Sequence, residues 1–270
     1  MKNKVQLITY IDRFGKGGIS ELHNFLNSKL DGLFDGGIHL LPFYYPIDGA
    51  DAGYDPIDHT TTDQRLGTWS EINLLAQDFD IMADLIVNHI SAESKEFEDV
   101  KLNGRQSAYY DLFLTKQKVF PNGNSEADIK KIYRPRPNLP FTEIEVGEGE
   151  RESFWTTFTS NQLDIDVSHE LGAAYLDKIL NTFEENSIKT IRLDAAGYAI
   201  KKPGTSCFMI SETFDFIDEF SKKAKAKVPY AIKTIIENYK GGESWLVYCE
   251  DQFQLKEVMQ ALILKGYSPC

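Results

Sequence analysis

A charged pair at the end of an apolar run is the first place in this sequence where chemistry could occur. In the stretch KTIRLDAAGYA (residues 189–199), Arg192 and Asp194 are two positions apart and are followed at once by small residues. Residues two apart in an extended strand project from the same face, so the guanidinium and the carboxylate should lie side by side. Because such a pair is costly in an apolar core unless it is matched, it is either a structural ion pair or part of a functional site.

Polar residues end two other apolar runs. His89 follows residues 80–88, and Glu237 follows residues 231–236. If these runs are neighbouring parallel strands, their C-terminal ends meet at one rim, which is where a (β/α)8 barrel carries its active site. Three strands that bring polar groups to one rim favour a shared functional site, although Glu237 alone could equally cap a following helix.

Two carboxylates at such a rim suggest the chemistry of glycosidic bonds. A retaining mechanism needs an ionised nucleophile and a protonated acid on opposite sides of the scissile bond, with carboxyl groups about 5–5.5 Å apart. The guanidinium of Arg192 favours the ionised form of Asp194, which suits the nucleophile. The position of Glu237 after Thr-Ile-Ile favours its protonated form, which suits the acid.

The elements that must position these residues alternate between strands and helices. Apolar runs predict strands at 5–10, 36–42, 80–88, 189–195 and 231–237. The helical spacing of apolar residues predicts helices at 19–30, 70–79, 169–187, 211–227 and 250–266, with Ser70 as the N-cap of the second. This alternation is typical of βαβ units around a parallel sheet.

A long segment interrupts the alternation after the third predicted strand. Residues 91–160 are rich in Tyr, Phe, Pro and Gly and are too long for an ordinary loop, which indicates an inserted subdomain. We therefore predict a first barrel part at 1–90, the inserted subdomain at 91–160 and a barrel continuation at 161–270. The predicted fold class is α/β, an incomplete (β/α)8 barrel of the TIM type with about five of its eight βα units.

The composition excludes several classes of protein. The chain has 270 residues, of which 42% are hydrophobic, and a net charge of -12. Binding to nucleic acid or to an anionic membrane needs clustered Lys and Arg, so neither is an expected partner. The cysteines Cys207, Cys249 and Cys270 form no CxxC motif, which predicts reduced thiols. The sequence has no apolar signal core and no membrane-spanning run, so we expect a cytoplasmic protein.

Seven stretches of the chain combine into the pattern of one family. DLIVNH (84–89), QLDID (162–166), IRLDAAGYA (191–199) and IIEN (235–238) together resemble the sequence regions of the α-amylase superfamily, glycoside hydrolase family 13. Within this superfamily, three further stretches resemble the sucrose phosphorylase branch: VQLITYIDRFG (5–15), GGIHLLPFYYPIDGADAGYDPIDH (36–59) and IYRPRPNLPFT (132–142). The resemblance covers nearly the whole chain, and the combination of motifs makes it specific.

The resemblance implies a double displacement in which Asp194 is the nucleophile and Glu237 the acid/base. Sucrose and phosphate, both small molecules, would give α-glucose 1-phosphate and fructose, without a metal ion or a cofactor. Substrate-binding roles are implied for Asp51, His89 and Arg192 at the glucosyl hydroxyls, Tyr54 and Phe158 as an apolar platform, Tyr133, Arg136 and Gln162 towards the acceptor, and Tyr198 beside the nucleophile. The aromatic residues could instead be plain core or surface residues, and Arg134 and Arg136 solvated loop charges. Where the phosphorylases commonly carry a His after the acid/base, this chain has Tyr239.

Some parts that the resemblance implies do not occur in the sequence. No His-Asp pair, which would carry the family's third carboxylate, follows Glu237, and the later strands and C-terminal β domain are absent as well. We therefore expect the N-terminal portion of a sucrose phosphorylase-like protein, with no measurable sucrose phosphorolysis by this chain. A related glucosyl phosphorylase, an α-glucoside hydrolase of the same superfamily and a non-catalytic remnant are the alternatives, and a homodimer is one option for its assembly.

Overall fold

Ten strands form four separate sheets in the part of the chain that the structure describes. The computed structural model describes residues 5–14, 16–34 and 36–227. The strands are β1 (Leu7–Thr9), β2 (Ile38–Leu40), β3 (Tyr44–Tyr45), β4 (Asp58–Thr62), β5 (Ile81–Ile86), β6 (His89–Ser91), β7 (Phe141–Val146), β8 (Glu150–Trp155), β9 (Gln162–Asp164) and β10 (Thr190–Asp194). Four of them make the central sheet, in the order β1-β2-β5-β10, and all three pairings are parallel.

The register of the central sheet brings three polar residues to one face. His39 pairs with Met82, which lies two positions before Asp84 on β5 and therefore projects from the same face as Asp84. Asp84 in turn pairs with Arg192 on β10. Neighbouring strands β2, β5 and β10 thus deliver an imidazole, a carboxylate and a guanidinium to the same side of the sheet.

Seven α-helices accompany these strands within the described residues. They are α1 (Ile19–Ser28), α2 (Trp69–Asp78), α3 (Lys95–Asn103), α4 (Lys116–Val119), α5 (Glu126–Lys131), α6 (Glu170–Glu185) and α7 (Ser211–Lys227). The longest buried face is on α6, where Leu176, Ile179, Leu180 and Phe183 recur at helical spacing and join the main hydrophobic core. The stripe thus shares one hydrophobic core with the apolar residues of the central strands.

The start of α2 corrects one prediction. The N-cap is Thr68 and not Ser70, because Glu71 stands three positions after Thr68 and completes a capping box. The backbone N–H of Thr68 donates to Glu71 Oε2 at 2.8 Å, and the backbone N–H of Glu71 donates to Thr68 Oγ1 at 3.4 Å. Ser70 has an Asn three positions later, so it cannot form the same reciprocal pair.

The segment between β5 and β10 contains its own small sheets. Strand β6 pairs antiparallel with β9, and β7 and β8 form an antiparallel hairpin. A second, smaller group of buried apolar side chains lies here, formed by Leu114, Val119, Phe120, Ile132, Trp155 and Cys207. The boundaries 1–90, 91–160 and 161–270 stay a prediction.

Four of the five predicted parallel strands occur, each a little shorter than predicted. The predicted strand at 80–88, for example, ends at Ile86, so that His89 begins β6 three residues later. The predicted strand at 231–237 with Glu237, the helix at 250–266, and Cys249 and Cys270 lie outside the described residues. Cys207 is a buried, free thiol. Among the described helices, none combines the length and the apolar character that crossing a membrane requires.

Candidate active site

A cavity opens where the central strands end. Its volume is about 490 Å³. Eight of the predicted site residues line it: Asp51, Tyr54, His89, Arg136, Phe158, Arg192, Asp194 and Tyr198. They come from the loop after β3, from β6, from the two loops that flank the β7–β8 hairpin and from the end of β10. The structure therefore brings together residues that are up to 147 positions apart in the chain, from Asp51 to Tyr198.

We call an ion-paired group at this cavity the Arg192 cluster: it is formed by Tyr54, Asp84, Arg192 and Asp194, all of which line the cavity except the buried Asp84. Arg192 Nη2 donates to Asp194 Oδ1 at 2.6 Å, and Arg192 Nη1 donates to Asp84 Oδ1 at 2.9 Å and to the Tyr54 hydroxyl at 3.0 Å. The predicted contact of Arg192 with Asp194 is confirmed. The pair is matched by Asp84, a completely buried carboxylate.

The protonation state of Arg192 is fixed by its neighbours. Burial alone would lower the pKa of Arg192, but Asp84 and Asp194 outweigh it and raise that pKa above its ordinary value. Burial and the nearby charge of Asp84 also raise the pKa of Tyr54, so its hydroxyl stays protonated. The cluster thus holds a permanent cation between two acidic side chains.

The turn after β10 explains why small residues follow Asp194. Ala195 has φ 55°, in the left-handed region, where a side chain with a Cβ costs about 1–2 kcal/mol. A short 3-10 helix, Ala196–Tyr198, follows at once. A Cβ at Gly197 would lie 2.8 Å from a ring atom of Phe208 and 2.9 Å from the sulfur of Met209, so a larger residue would displace these side chains. This tight turn aims Asp194 into the cavity and places Tyr198 beside it.

A polar group on the opposite wall surrounds Asp51. Gln162 Nε2 donates to Asp51 Oδ2 at 2.9 Å and lies 3.0 Å from His89 Nε2, which is 2.8 Å from the backbone oxygen of Tyr54. Arg136 approaches Asp51 from the rim, with Nη2 3.5 Å from Oδ1. Burial lowers the pKa of His89, so the imidazole is neutral at pH 7.

Aromatic rings complete the cavity. Phe158 lies between His89 and Tyr198, with ring centroids 5.1 Å from each. The Arg192 guanidinium lies 5.7 Å from the ring centroid of Tyr54. Tyr133 stands behind this wall, where it stacks on Tyr198 at 6.2 Å.

Two of the predicted acceptor-side residues do not line this cavity, and Tyr133 lines a neighbouring one together with Arg136. Tyr133 supports Tyr198, and Gln162 is completely buried beneath Asp51 and His89. Their assignment to the acceptor side stays a prediction.

A second charged group, which we call the buried lysine cluster, lies beneath the turn and was not predicted. Lys201 Nζ lies 2.5 Å from Asp164 Oδ2, and it donates to Asn88 Oδ1 at 2.7 Å and to the backbone oxygen of Tyr198. Thr157 donates to Asp164 through its backbone N–H at 2.9 Å and its hydroxyl at 2.6 Å. The Lys201 and Asp164 side chains are 1% and 0% exposed. This cluster joins β9 and the end of β5 to the loop after Asp194.

Asp84 and His39 were also missed, although the sequence holds a signal for them. Each is a polar residue between apolar neighbours: His39 stands in IHLL (38–41) and Asp84 in MADLI (82–86). Strands buried on both faces rarely carry such residues without a partner. The Lys201 side chain gives no comparable signal, since it stands next to a second lysine in a loop. Within the described residues, no group of three or more His, Cys, Asp or Glu side chains is arranged to hold a metal ion.

Comparison with known proteins agrees with the motifs. The chain is 54% identical to a sucrose phosphorylase of Agrobacterium vitis over 225 residues, which are 83% of this chain and 46% of that protein. It is 49% identical to the sucrose phosphorylase of Bifidobacterium adolescentis over 223 residues, 83% of this chain and 44% of the relative. The chain thus spans about half the length of the curated relatives it matches.

A solved structure and a family description extend this result. The sucrose 6F-phosphate phosphorylase of Thermoanaerobacter thermosaccharolyticum superposes with a TM-score of 0.79 at 38% identity, covering 84% of this chain and 46% of that one. Together with the parallel sheet, this confirms the predicted fold class, an incomplete (β/α)8 barrel with an insertion after its third strand. Residues 26–260 match the alpha amylase catalytic domain, and the chain belongs to the α-amylase family.

Proposed function

We propose that this chain supplies the glucosyl-binding side and the nucleophile of a retaining, sucrose phosphorylase-type active site. The observation that carries the proposal is Asp194, held by Arg192 at 2.6 Å on the wall of the strand-end cavity. The overall reaction would transfer the glucosyl group of sucrose to phosphate and release fructose. The identity of 54% to a sucrose phosphorylase supports this choice of reaction.

The first step would be attack by the Asp194 carboxylate on the anomeric carbon of the glucosyl group. The bond to the fructosyl oxygen breaks as the bond to Asp194 forms, and Glu237 gives its proton to the departing oxygen. The Arg192 guanidinium keeps Asp194 in its charged form and in one orientation. Glu237 lies outside the described residues, so its role rests on the resemblance of IIEN to the family's acid/base region.

The second step would use phosphate as the nucleophile. Glu237, now a carboxylate, takes the proton of the attacking phosphate oxygen, which displaces Asp194 from the opposite face. Two inversions give α-glucose 1-phosphate with retained configuration. Arg136, whose side chain is 54% exposed at the rim, is a cation that phosphate or the fructosyl group would meet on entry.

The same cavity offers the contacts that a glucosyl ring needs. Asp51, His89 and Arg192 present polar atoms for hydroxyl groups, and a site built to bind hydroxyls rejects sugars that lack them. Phe158 and Tyr54 give the ring an apolar platform. Tyr133 and Gln162 would act from behind, by holding Tyr198 and Asp51 in position.

A second candidate is a phosphorylase with a phosphorylated acceptor. The solved relative at TM-score 0.79 carries the name sucrose 6F-phosphate phosphorylase, and Arg136 at the rim would suit an anionic fructosyl group.

We also propose a role in carbohydrate metabolism in the cytoplasm. A homodimer stays a prediction.

Product analysis tests the proposal. Because the matched relatives are about twice as long, we would continue this chain with the C-terminal part of the Agrobacterium vitis protein beyond the matched region. We expect this chimaera to release glucose 1-phosphate from sucrose and phosphate, and Asp194→Asn to stop the release. Glucose as the sole product in phosphate buffer would identify a hydrolase instead, and preferential cleavage of sucrose 6F-phosphate would identify the second candidate.

A further inference from the structure

A buried histidine stands behind the Arg192 cluster. His39 lies in the middle of β2 between Ile38 and Leu40, and only 5% of it is exposed. An imidazole in such a strand loses its hydration, so it needs a polar partner inside the protein. Its Nε2 atom lies 3.1 Å from Asp84 Oδ1, which supplies that partner.

Asp84 connects this histidine to the cavity. Its Oδ1 atom accepts from His39 Nε2 and from Arg192 Nη1, and its Oδ2 atom is 3.3 Å from the Tyr54 hydroxyl, which donates to it. The Tyr44 hydroxyl also donates to the backbone oxygen of Asp84 at 2.5 Å. Since both carboxylate oxygens and the main chain are bound, the Asp84 side chain has one orientation.

The chain of contacts continues to Asp194. Arg192 uses one nitrogen for Asp84 and the other for Asp194, in the fork geometry that guanidinium groups favour. A rotation of the Asp84 carboxylate would therefore turn the guanidinium and move its bond to Asp194. Reacting groups must be held to a fraction of an ångström, so such a movement slows the chemistry.

We propose that His39 is a positioning residue, which orients Arg192 and, through it, Asp194 by holding the carboxylate of Asp84. This proposal rests on the proposed function of Asp194 for its catalytic consequence. A carboxylate only accepts hydrogen bonds, so the His39 ring carries its proton on Nε2. The donor that matters is thus one N–H at the far end of the imidazole.

This geometry defines a matched pair of variants. In His39→Gln, the side-chain amide reaches the place of Nε2 and keeps a donor for Asp84. In His39→Asn, the shorter amide reaches only the place of Nδ1, so the Asp84 contact is lost while a polar amide remains. His23→Asn is the control, because His23 also pairs with a carboxylate, Asp78, at 2.6 Å but far from the cavity.

The first measurement uses NMR on the 270-residue chain and needs no activity. We expect long-range 1H–15N spectra to show His39 protonated on Nε2, and the guanidinium signals of Arg192, assigned with Arg192→Lys, to be slowly exchanging. These signals should persist in His39→Gln and His23→Asn and broaden or disappear in His39→Asn. A proton on Nδ1 alone, or unchanged Arg192 signals in a folded His39→Asn, would overturn the proposal. If His39→Asn does not fold, the test rests on His39→Gln: loss of the Arg192 signals in a folded His39→Gln would overturn the proposal.

The second measurement uses the chimaera and follows glucosylation of Asp194 by α-glucosyl fluoride, a donor whose leaving group needs no acid. We expect His39→Asn to slow it about tenfold, close to 1.4 kcal/mol, with little change in the donor concentration for half-maximal rate, and His39→Gln to stay within about twofold. Equal rates in all three proteins would overturn the catalytic consequence. A parent chimaera that is never glucosylated, with Arg192 signals that still respond to His39→Asn, would contradict the proposed function and leave the positioning of Arg192 supported.

Discussion

The Arg192 cluster and the buried lysine cluster lie on either side of the same turn, yet solvent reaches only one of them. In the Arg192 cluster, the side chains of Arg192 and Asp194 are 42% and 18% exposed. In the buried lysine cluster, those of Lys201 and Asp164 are 1% and 0% exposed. Both contain a cation that contacts side chains from different elements: Arg192 contacts the two carboxylates Asp84 and Asp194, whereas Lys201 contacts one carboxylate, Asp164, and the amide of Asn88.

Exposure separates what each cluster can do. A fully buried ion pair cannot admit a sugar, and removal of one partner leaves an uncompensated charge, which costs stability. A half-open pair gives up less stability, but its carboxylate can meet a substrate while the neighbouring cation holds it ionised. The comparison supports the proposal that Asp194 does the chemistry, and we expect Lys201 to hold the loop that follows it.

Asp194→Asn should give the largest effect on activity. The amide cannot form the glucosyl ester, so we expect glucosyl transfer by the chimaera to fall at least about a thousandfold, or about 4 kcal/mol in barrier. Urea unfolding should show a change of less than about 1 kcal/mol, since the group is partly open to water. Transfer within tenfold of the parent would remove Asp194 from the role of nucleophile.

Lys201→Met should give the largest effect on stability. Loss of the ammonium leaves Asp164 buried with one charged partner fewer, and we expect urea unfolding to show a destabilisation of about 3–5 kcal/mol. Lys202→Met is the matched control, because the Lys202 side chain is 54% exposed and pairs with Glu212 at the surface; it should cost less than about 1 kcal/mol. Similar unfolding midpoints for the two variants would break the comparison between the clusters.

Glu237→Gln sharpens the catalytic side of the comparison. If Asp194 faces an acid across the cavity, the variant should slow sucrose cleavage on the order of a hundredfold, because fructose needs a proton as it departs. α-Glucosyl fluoride needs none, so its use by the same chimaera should change far less. Equal losses on the two donors would make Glu237 a structural residue.

A buried neutral histidine should make stability depend on pH without any effect on the active site. Burial lowers the pKa of His59 to about 3, so the folded state binds this proton less readily than the unfolded state, whose ordinary pKa is about 6.5. The stability that results is complete above pH 6.5 and is lost as the pH falls towards 3, by up to about 1.4 kcal/mol per pH unit. We expect His59→Gln to flatten the pH dependence of urea unfolding between pH 6 and pH 4. Equal slopes for parent and variant would contradict this assignment.

Residue spacing predicted only contacts between residues that lie close together in the chain, and the distant site residues came from the family resemblance. Arg192 and Asp194 share a strand, so the two-residue period of that strand was enough to predict their contact. The Thr68 cap was missed, although the position of Glu71 indicates it. His39, Asp84 and Lys201 could not be placed in this way, because their partners come from other strands and the register between strands is set by the packing of the whole sheet.

The fold was likewise predicted in part: the central strands were predicted and the contents of the inserted segment were not. Apolar runs predicted four of the described parallel strands to within a few residues, since strands buried on both faces leave a clear pattern. The contents of the inserted segment were not predicted, because the β7–β8 hairpin alternates charged residues with few apolar ones. The position of the inserted segment depends on contacts such as those within the buried lysine cluster, which joins β9 to the turn after β10.

Covalent trapping tests the central claim most directly. The chimaera is incubated with α-glucosyl fluoride in the absence of phosphate, quenched in acid and digested, and the peptides are examined by mass spectrometry. We predict a hexosyl group on the peptide that contains Asp194, localised to that residue by fragmentation and missing from Asp194→Asn. A hexosyl group on another carboxylate, or an adduct that persists in Asp194→Asn, would contradict the assignment of Asp194 as the nucleophile.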